Sequence, residues 1–150
     1  MSATSEQPSF TQSLPPQPVP DADTQGFWEA TAHGTLKMCR CTNADCGLWM
    51  MPPLDACRKC ASPTHFEEVS GAGSVYTFIV QRQAAVSGYL ENLPYVVGLI
   101  ELDEQPGIRL PGRIIDIAPE EVRCDMRVQA CLEPLPGGNY LVPVFRRISE

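Results

Sequence analysis

Downstream of residue 70 the chain alternates apolar and polar positions with a period of two. SVYTFIVQ (74–81), PYVVGLIELD (94–103), IRLPGRIIDI (108–117), MRVQACLE (126–133) and NYLVPVF (139–145) are short runs rich in Val, Ile and aromatic residues, the pattern of half-buried or fully buried strands. They are bounded by turn material: SGAG at 70–73, DEQPG at 103–107, APEE at 118–121 and PLPGG at 134–138. No separator can hold a crossover helix, so the pattern predicts an antiparallel sheet. Five strands of this kind close into a small Greek-key barrel of the OB type. In the fourth run Met126, Val128, Ala130 and Leu132 share one face, and Arg127, Gln129, Cys131 and Glu133 share the other. In the last run Tyr140, Val142 and Val144 oppose Leu141, Pro143 and Phe145. With both faces apolar, that strand calls for a covering surface, from this chain or from another, and Phe145 is a candidate partner contact.

Upstream the period changes. Residues 1–22, dominated by Ser, Gln and Pro, bury too little apolar surface to offset the entropy of ordering them and read as a disordered tail. Residues 23–34 predict a short helix, capped by Asp23 or Thr24 and ended by Gly34 in the left-handed conformation. Phe27 and Trp28 fall in its first turn. Both cannot face a core that so short a helix only brushes, so one is expected to meet another surface. The remaining boundaries are 35–66, a cysteine-rich ribbon, and 67–150, the barrel. The whole is mainly β.

Five of the seven cysteines lie in CRCTNADCGLWMMPPLDACRKC, residues 39–60. An odd number in short-spaced pairs points to a metal in a reducing compartment rather than to a disulfide framework. Cys57 and Cys60 have knuckle spacing. Cys46 precedes Gly47, and its mate is Cys41 or, across a wider loop, Cys39. The shorter loop closes more easily and favours Cys41, leaving Cys39 to pack behind. Four thiolates fill a tetrahedral ion and leave no place for substrate, so the ion, zinc or iron by ligand type, is expected to be structural. Arg40, Arg58 and Lys59 flank the site and can offset its charge. His33 and His65 have no evident partner. Cys131 reads as a surface or interface thiol and Cys124 as a core one. The acidic ELDE (101–104) reads as turn and strand-end residues.

The net charge is −7, with Lys37 and Lys59 the only lysines beside nine arginines. This weakens the alternative of a single-stranded nucleic-acid-binding protein, which needs clustered cations. No run of about 18 apolar residues is present to span a bilayer, and the chain reads as cytoplasmic.

The order FWEA, a four-cysteine ribbon with CG, PP and CxxC, then SGAGSVYTF, LPYVVGLIELDE and PGGNYLVPVF resembles the zinc-ribbon and OB-fold acyl-CoA-associated proteins, a former family of unknown function. The resemblance spans about residues 25–147. It implies a rubredoxin-like ribbon with structural Zn2+ on Cys41, Cys46, Cys57 and Cys60, the first knuckle being wider than the usual C-x2-C. It further implies an accessory subunit of thiolase-like enzymes, steroid side-chain aldolases or acyltransferase assemblies. Such a subunit docks a catalytic partner in a heterotetramer and helps to hold acyl-CoA at the shared interface, while the partner carries the catalytic residues. The loop QRQAAVSGYLENL (81–93) aligns with one bordering the acyl tunnel, with Gly88 and Tyr89 as candidate substrate contacts. Phe27, Trp28 and Phe145 are the candidate partner contacts, and Arg82, Arg109 and Arg113 are available for CoA phosphates.

Overall fold

The computed structural model describes residues 13–83 and 85–149. Helix α1 (Gln25–Ala32) begins at a reciprocal cap. Asp21 Oδ1 accepts from Thr24 N at 2.8 Å and from Thr24 Oγ1 at 2.7 Å, and Asp21 N donates to Thr24 Oγ1 at 3.0 Å. The N-cap position is occupied by Thr24, one of the two expected residues, and Asp21 braces it. Thr24 caps through Asp21 rather than by itself bonding the first helical turn. At the other end Gly34 has φ +79, with Gly34 N to Thr31 O at 2.9 Å and Thr35 N to Ala30 O at 3.0 Å. This is the Schellman arrangement that a glycine in the left-handed region makes without a Cβ penalty.

Three short strands follow: β1 (Lys37–Cys41), β2 (Trp49–Met50) and β3 (Thr64–Glu68), antiparallel in the order β2-β1-β3. The barrel comprises β4 (Ala72–Gln81), β5 (Tyr95–Leu102), β6 (Arg109–Ile115), β7 (Arg127–Pro134) and β8 (Leu141–Arg147), closed in the order β4-β5-β6-β8-β7. The expectation of a wholly antiparallel sheet is corrected in one place. Strands β6 and β8 run parallel, with Arg113, Ile114 and Ile115 beside Val144, Phe145 and Arg146. The reason is parity: strands cannot alternate direction all the way round a closed ring of odd number, so one parallel seam is obligatory.

Ribbon and barrel share one core. Leu36, Met38 and Trp49 pack with Val75, Val96, Ile100, Leu110, Ile114, Val128 and Phe145, with Phe27 of α1 against them. Gln105, in the β5–β6 turn, fastens the two parts. Its amide accepts from Trp49 N at 3.0 Å and donates to Trp49 O at 3.1 Å, serving the backbone of edge strand β2 as a neighbouring strand would.

Two further expectations are corrected. Phe145 is 0% exposed inside the barrel, so it cannot be a docking side chain. Its strand is covered largely by the chain itself: α1 packs on β8, and the Trp28 ring meets Tyr140 edge-on at 5.5 Å. The tail expectation also fails beyond residue 12, because Pro15 is buried and residues 14–18 lie against two barrel loops. Residues 1–12 lie outside the described residues.

Phe145→Ala is expected to cost about 3–5 kcal/mol in urea unfolding, the usual cost of truncating a buried phenylalanine. A surface contact would cost little stability. Arg127 makes a two-pronged bond to Asp103, at 2.7 and 2.5 Å, and reaches Ser74 Oγ at 3.0 Å. The bond from Arg127 holds the Asp103 carboxyl below its ordinary value. A lowered folded-state pKa means stability present above the unfolded value of about 3.9 and lost as pH falls through the folded one. Asp103→Asn is therefore expected to cost about 0.5–1 kcal/mol at pH 7, a figure suited to an exposed pair, and less at about pH 3, below the unfolded value. Unfolding titrations at the two pH values check this.

Candidate functional site

The metal centre is assembled from two turns. Cys41 ends β1, and the chain then folds through Asn43, whose carbonyl accepts from Cys46 N at 3.0 Å and Gly47 N at 2.8 Å. Its side chain accepts from Asp45 N at 3.0 Å. In the second turn Ala61 N reaches Cys57 O at 2.8 Å. Each turn aims an amide at sulfur, Asn43 N at Cys41 Sγ and Lys59 N at Cys57 Sγ, both at 3.4 Å. Such N–H donors favour thiolate.

The four sulfurs of Cys41, Cys46, Cys57 and Cys60 lie within 4.8 Å of one another. The Cys41–Cys60 and Cys46–Cys57 separations are 3.4 and 3.7 Å. A tetrahedron with metal–sulfur bonds of about 2.3 Å has edges of about 3.8 Å, so the set fits a tetrahedral thiophilic ion. Cys39, at 2% exposure, sits behind the cluster with its Sγ 3.4 Å from Leu54 O. Without metal the thiols hold protons unequally. The Ser62 hydroxyl leads in drawing Cys60 down to about 6, while burial pushes Cys41 up to about 12.

Arg40 braces the first turn rather than simply offsetting charge. Its Nε donates to Gly47 O at 3.1 Å, its Nη1 pairs with Glu67 at 3.0 Å, and its guanidinium lies 4.8 Å from the Trp49 ring centre. His65 faces Glu67 at 3.2 Å instead of the cluster. Cys124, expected in the core, is exposed. Cys131 is half-buried and accepts from Arg146 Nη1 at 3.0 Å, and burial raises its thiol.

Two clefts take in the remaining candidate residues. The first, about 310 Å³, lies between α1, the ribbon and the barrel. Phe27 and Trp28, edge to face at 5.0 Å, form one wall. Met50, Met51, Pro111 and Pro143 form others, and Cys39 reaches its floor. Sequence reasoning missed the methionines, although LWMMPP between the knuckles was a signal for them. The second cleft, about 470 Å³, is bordered by Tyr89, Tyr95 and Arg113. The tyrosine rings are 5.6 Å apart and Arg113 lies 5.5 Å from the Tyr89 centroid. Gly88 stands beside this cleft, beneath Pro15. The candidate phosphate-binding arginines all have acidic partners: Arg82 with Glu120, Arg109 with Glu101, and Arg113 with Glu133.

A four-cysteine ribbon sharing its core with a five-stranded barrel defines a zinc-ribbon/OB-fold protein. Residues 28–65 match the rubredoxin-like zinc ribbon domain of ChsH2, and residues 66–133 match the ChsH2 C-terminal OB-fold domain. The chain belongs to this ChsH2 (DUF35) family, and its ribbon is a zinc ribbon with four cysteines clustered for the metal. A DUF35 domain-containing scaffold protein of Methanocaldococcus jannaschii is 40% identical over 113 residues, covering 74% of this chain and 67% of that protein. The 3-oxo-4,17-pregnadiene-20-carboxyl-CoA hydratase alpha subunit of Mycobacterium tuberculosis is 30% identical over 121 residues. That match covers 80% of this chain but only 37% of the subunit. Among solved structures, an Ltp2-ChsH2(DUF35) aldolase chain superposes with a TM-score of 0.78 at 30% identity, over 87% of this chain and 98% of that one.

Cys41→Ser is expected to abolish stoichiometric zinc by elemental analysis of the purified protein and to lower its melting temperature. Cys39→Ser is expected to retain a full equivalent of metal. Chelation of the parent protein should unfold the ribbon, since metal binding there contributes directly to folding.

Proposed function

We propose that this protein is a non-catalytic accessory subunit of an acyl-CoA enzyme that makes or breaks carbon–carbon bonds. Its catalytic partner is thiolase-like, and two copies of each chain form a heterotetramer in the cytoplasm, with acyl-CoA at the shared interface. The observation that carries this reading is the first cleft, an apolar recess walled by the Phe27–Trp28 pair and by the ribbon that carries the four-cysteine cluster. A completed tetrahedron holds the ribbon rigid and offers substrate no ligand position, so the ion stiffens a docking surface. Aromatic side chains at such a recess are the residues that most often dominate association energy. The relatives are described as a scaffold protein, an aldolase complex and a hydratase subunit, which supports the same role. Gly88 and Tyr89, beside the second cleft, are the proposed substrate contacts.

The acidic partners of the barrel arginines argue against nucleic acid, because phosphates would have to displace carboxylates already in place. No helix among the described residues is long and apolar enough to cross a membrane.

Coexpression with a thiolase-like candidate partner from the same genome is expected to yield one complex by size exclusion. Trp28→Ala should weaken that complex about thirtyfold, the effect of losing about 2 kcal/mol at an interface hot spot, while the free subunit stays folded with a melting temperature lowered by the loss of the Phe27 and Tyr140 contacts. Separate elution, with a fully active partner, would overturn the assignment.

A further inference from the structure

Residues 14–18, Leu-Pro-Pro-Gln-Pro, form neither helix nor strand, yet they are seated on the barrel. Two loops hold them, the segment around residues 87–88 after β4 and the turn at 136–138 between β7 and β8. Ser87 Oγ donates to Leu14 O at 3.1 Å, and Gln17 Nε2 donates to Pro136 O at 2.9 Å and to Pro15 O at 3.1 Å. The loops carry glycine where the segment passes closest. A Cβ at Gly88 would stand 2.3 Å from Pro15 N, one at Gly137 2.8 Å from Leu14 Cδ1, and one at Gly138 2.3 Å from Gln17 Oε1. Three clearances in two loops distant in sequence, all filled by one proline-rich segment, describe a groove shaped for it. Pro16, Gln17 and Pro18 then form a wall of the second cleft, facing Tyr89, Tyr95 and Arg113.

The seat is a light one. Leu14 is 61% exposed, Pro16 is exposed, and Gln17 Oε1 is buried without a donor. That acceptor regains hydrogen bonds when the segment lifts into water, which favours release. Against this, a sequence already biased to polyproline II loses little entropy on docking. The two effects oppose each other and leave the segment bound but exchangeable.

We propose that residues 14–18 are a displaceable strap: a tethered proline-rich ligand in a groove made by two glycine-bearing loops, which closes the second cleft and orders the loops beside it. Lifting the strap widens access to Tyr89, Tyr95 and Arg113, whatever molecule enters there. The strap operates in the isolated chain, so it stands or falls separately from the accessory-subunit reading.

Hydrogen exchange on a variant lacking residues 1–20 tests it. Relative to the full chain, exchange of residues 86–93 and 135–140 should rise about tenfold, as expected when a local opening is freed, while β5 and β7 stay protected. A synthetic peptide of residues 11–20 added in trans should restore protection saturably, and the same peptide with Pro15→Arg and Gln17→Ala should not. Should the truncated chain fail to fold, the full-length double variant Pro15→Asp, Gln17→Ala gives the same exchange readout. Loops that exchange equally with and without the strap overturn the proposal, as does a parent peptide that restores nothing.

Discussion

Four sulfur atoms drawn from two tight turns must meet at one point, and most of the molecule's geometry follows from that convergence. The ribbon has only three short strands, one of them the two-residue β2. A segment of that size cannot bury enough apolar surface to hold itself folded, and a structural metal is the usual remedy below about 40 residues. Joining Cys41 to Cys60 and Cys46 to Cys57 through the ion fixes β1 against β2 and β3. That in turn sends Met38 and Trp49 into the barrel core. The metal thus sets the orientation of the ribbon on the barrel, and with it the wall that α1 can occupy.

Both clefts open along one line. Pro111 of β6 and Val142 and Pro143 of β8 border the first and the second alike. These strands form the obligatory parallel seam, yet they pair only through residues 113–115 and 144–146. Proline cannot donate to a ladder, and one stands just ahead of the paired region on each strand. The seam therefore parts there, and its apolar inner edges are left to be covered by α1 on one side and by the strap on the other. Surface available to a partner and surface covered in cis arise from the same local defect in hydrogen bonding.

Much of this was legible in the linear order of residues. Period-two patterning located five barrel strands to within a few positions, because a strand with one buried face cannot slip in register without exposing apolar side chains. Knuckle spacing pointed to the same four cysteines that now cluster, since loop closure favours short loops. Gly34 ended its helix as its conformational freedom allows. The misreadings share one cause. Phe145 looked like a docking residue because the last run is apolar on both faces, and nothing local says that α1 folds back to cover one of them. Cys124 looked like core from its place beside a strand, whereas it falls in a turn facing water.

What the sequence determined by itself is therefore whatever depends on neighbours along the chain: strand period, turn chemistry, the spacing of metal ligands and the charge balance that disfavours phosphate binding. Tertiary structure alone decided the parallel seam, the single core shared by ribbon and barrel, the methionine-lined cleft and the seating of residues 14–18. Each of these joins segments far apart in the chain. Their energies come from shape, excluded water and backbone groups meeting across space, and no local pattern encodes which distant surface will supply the partner.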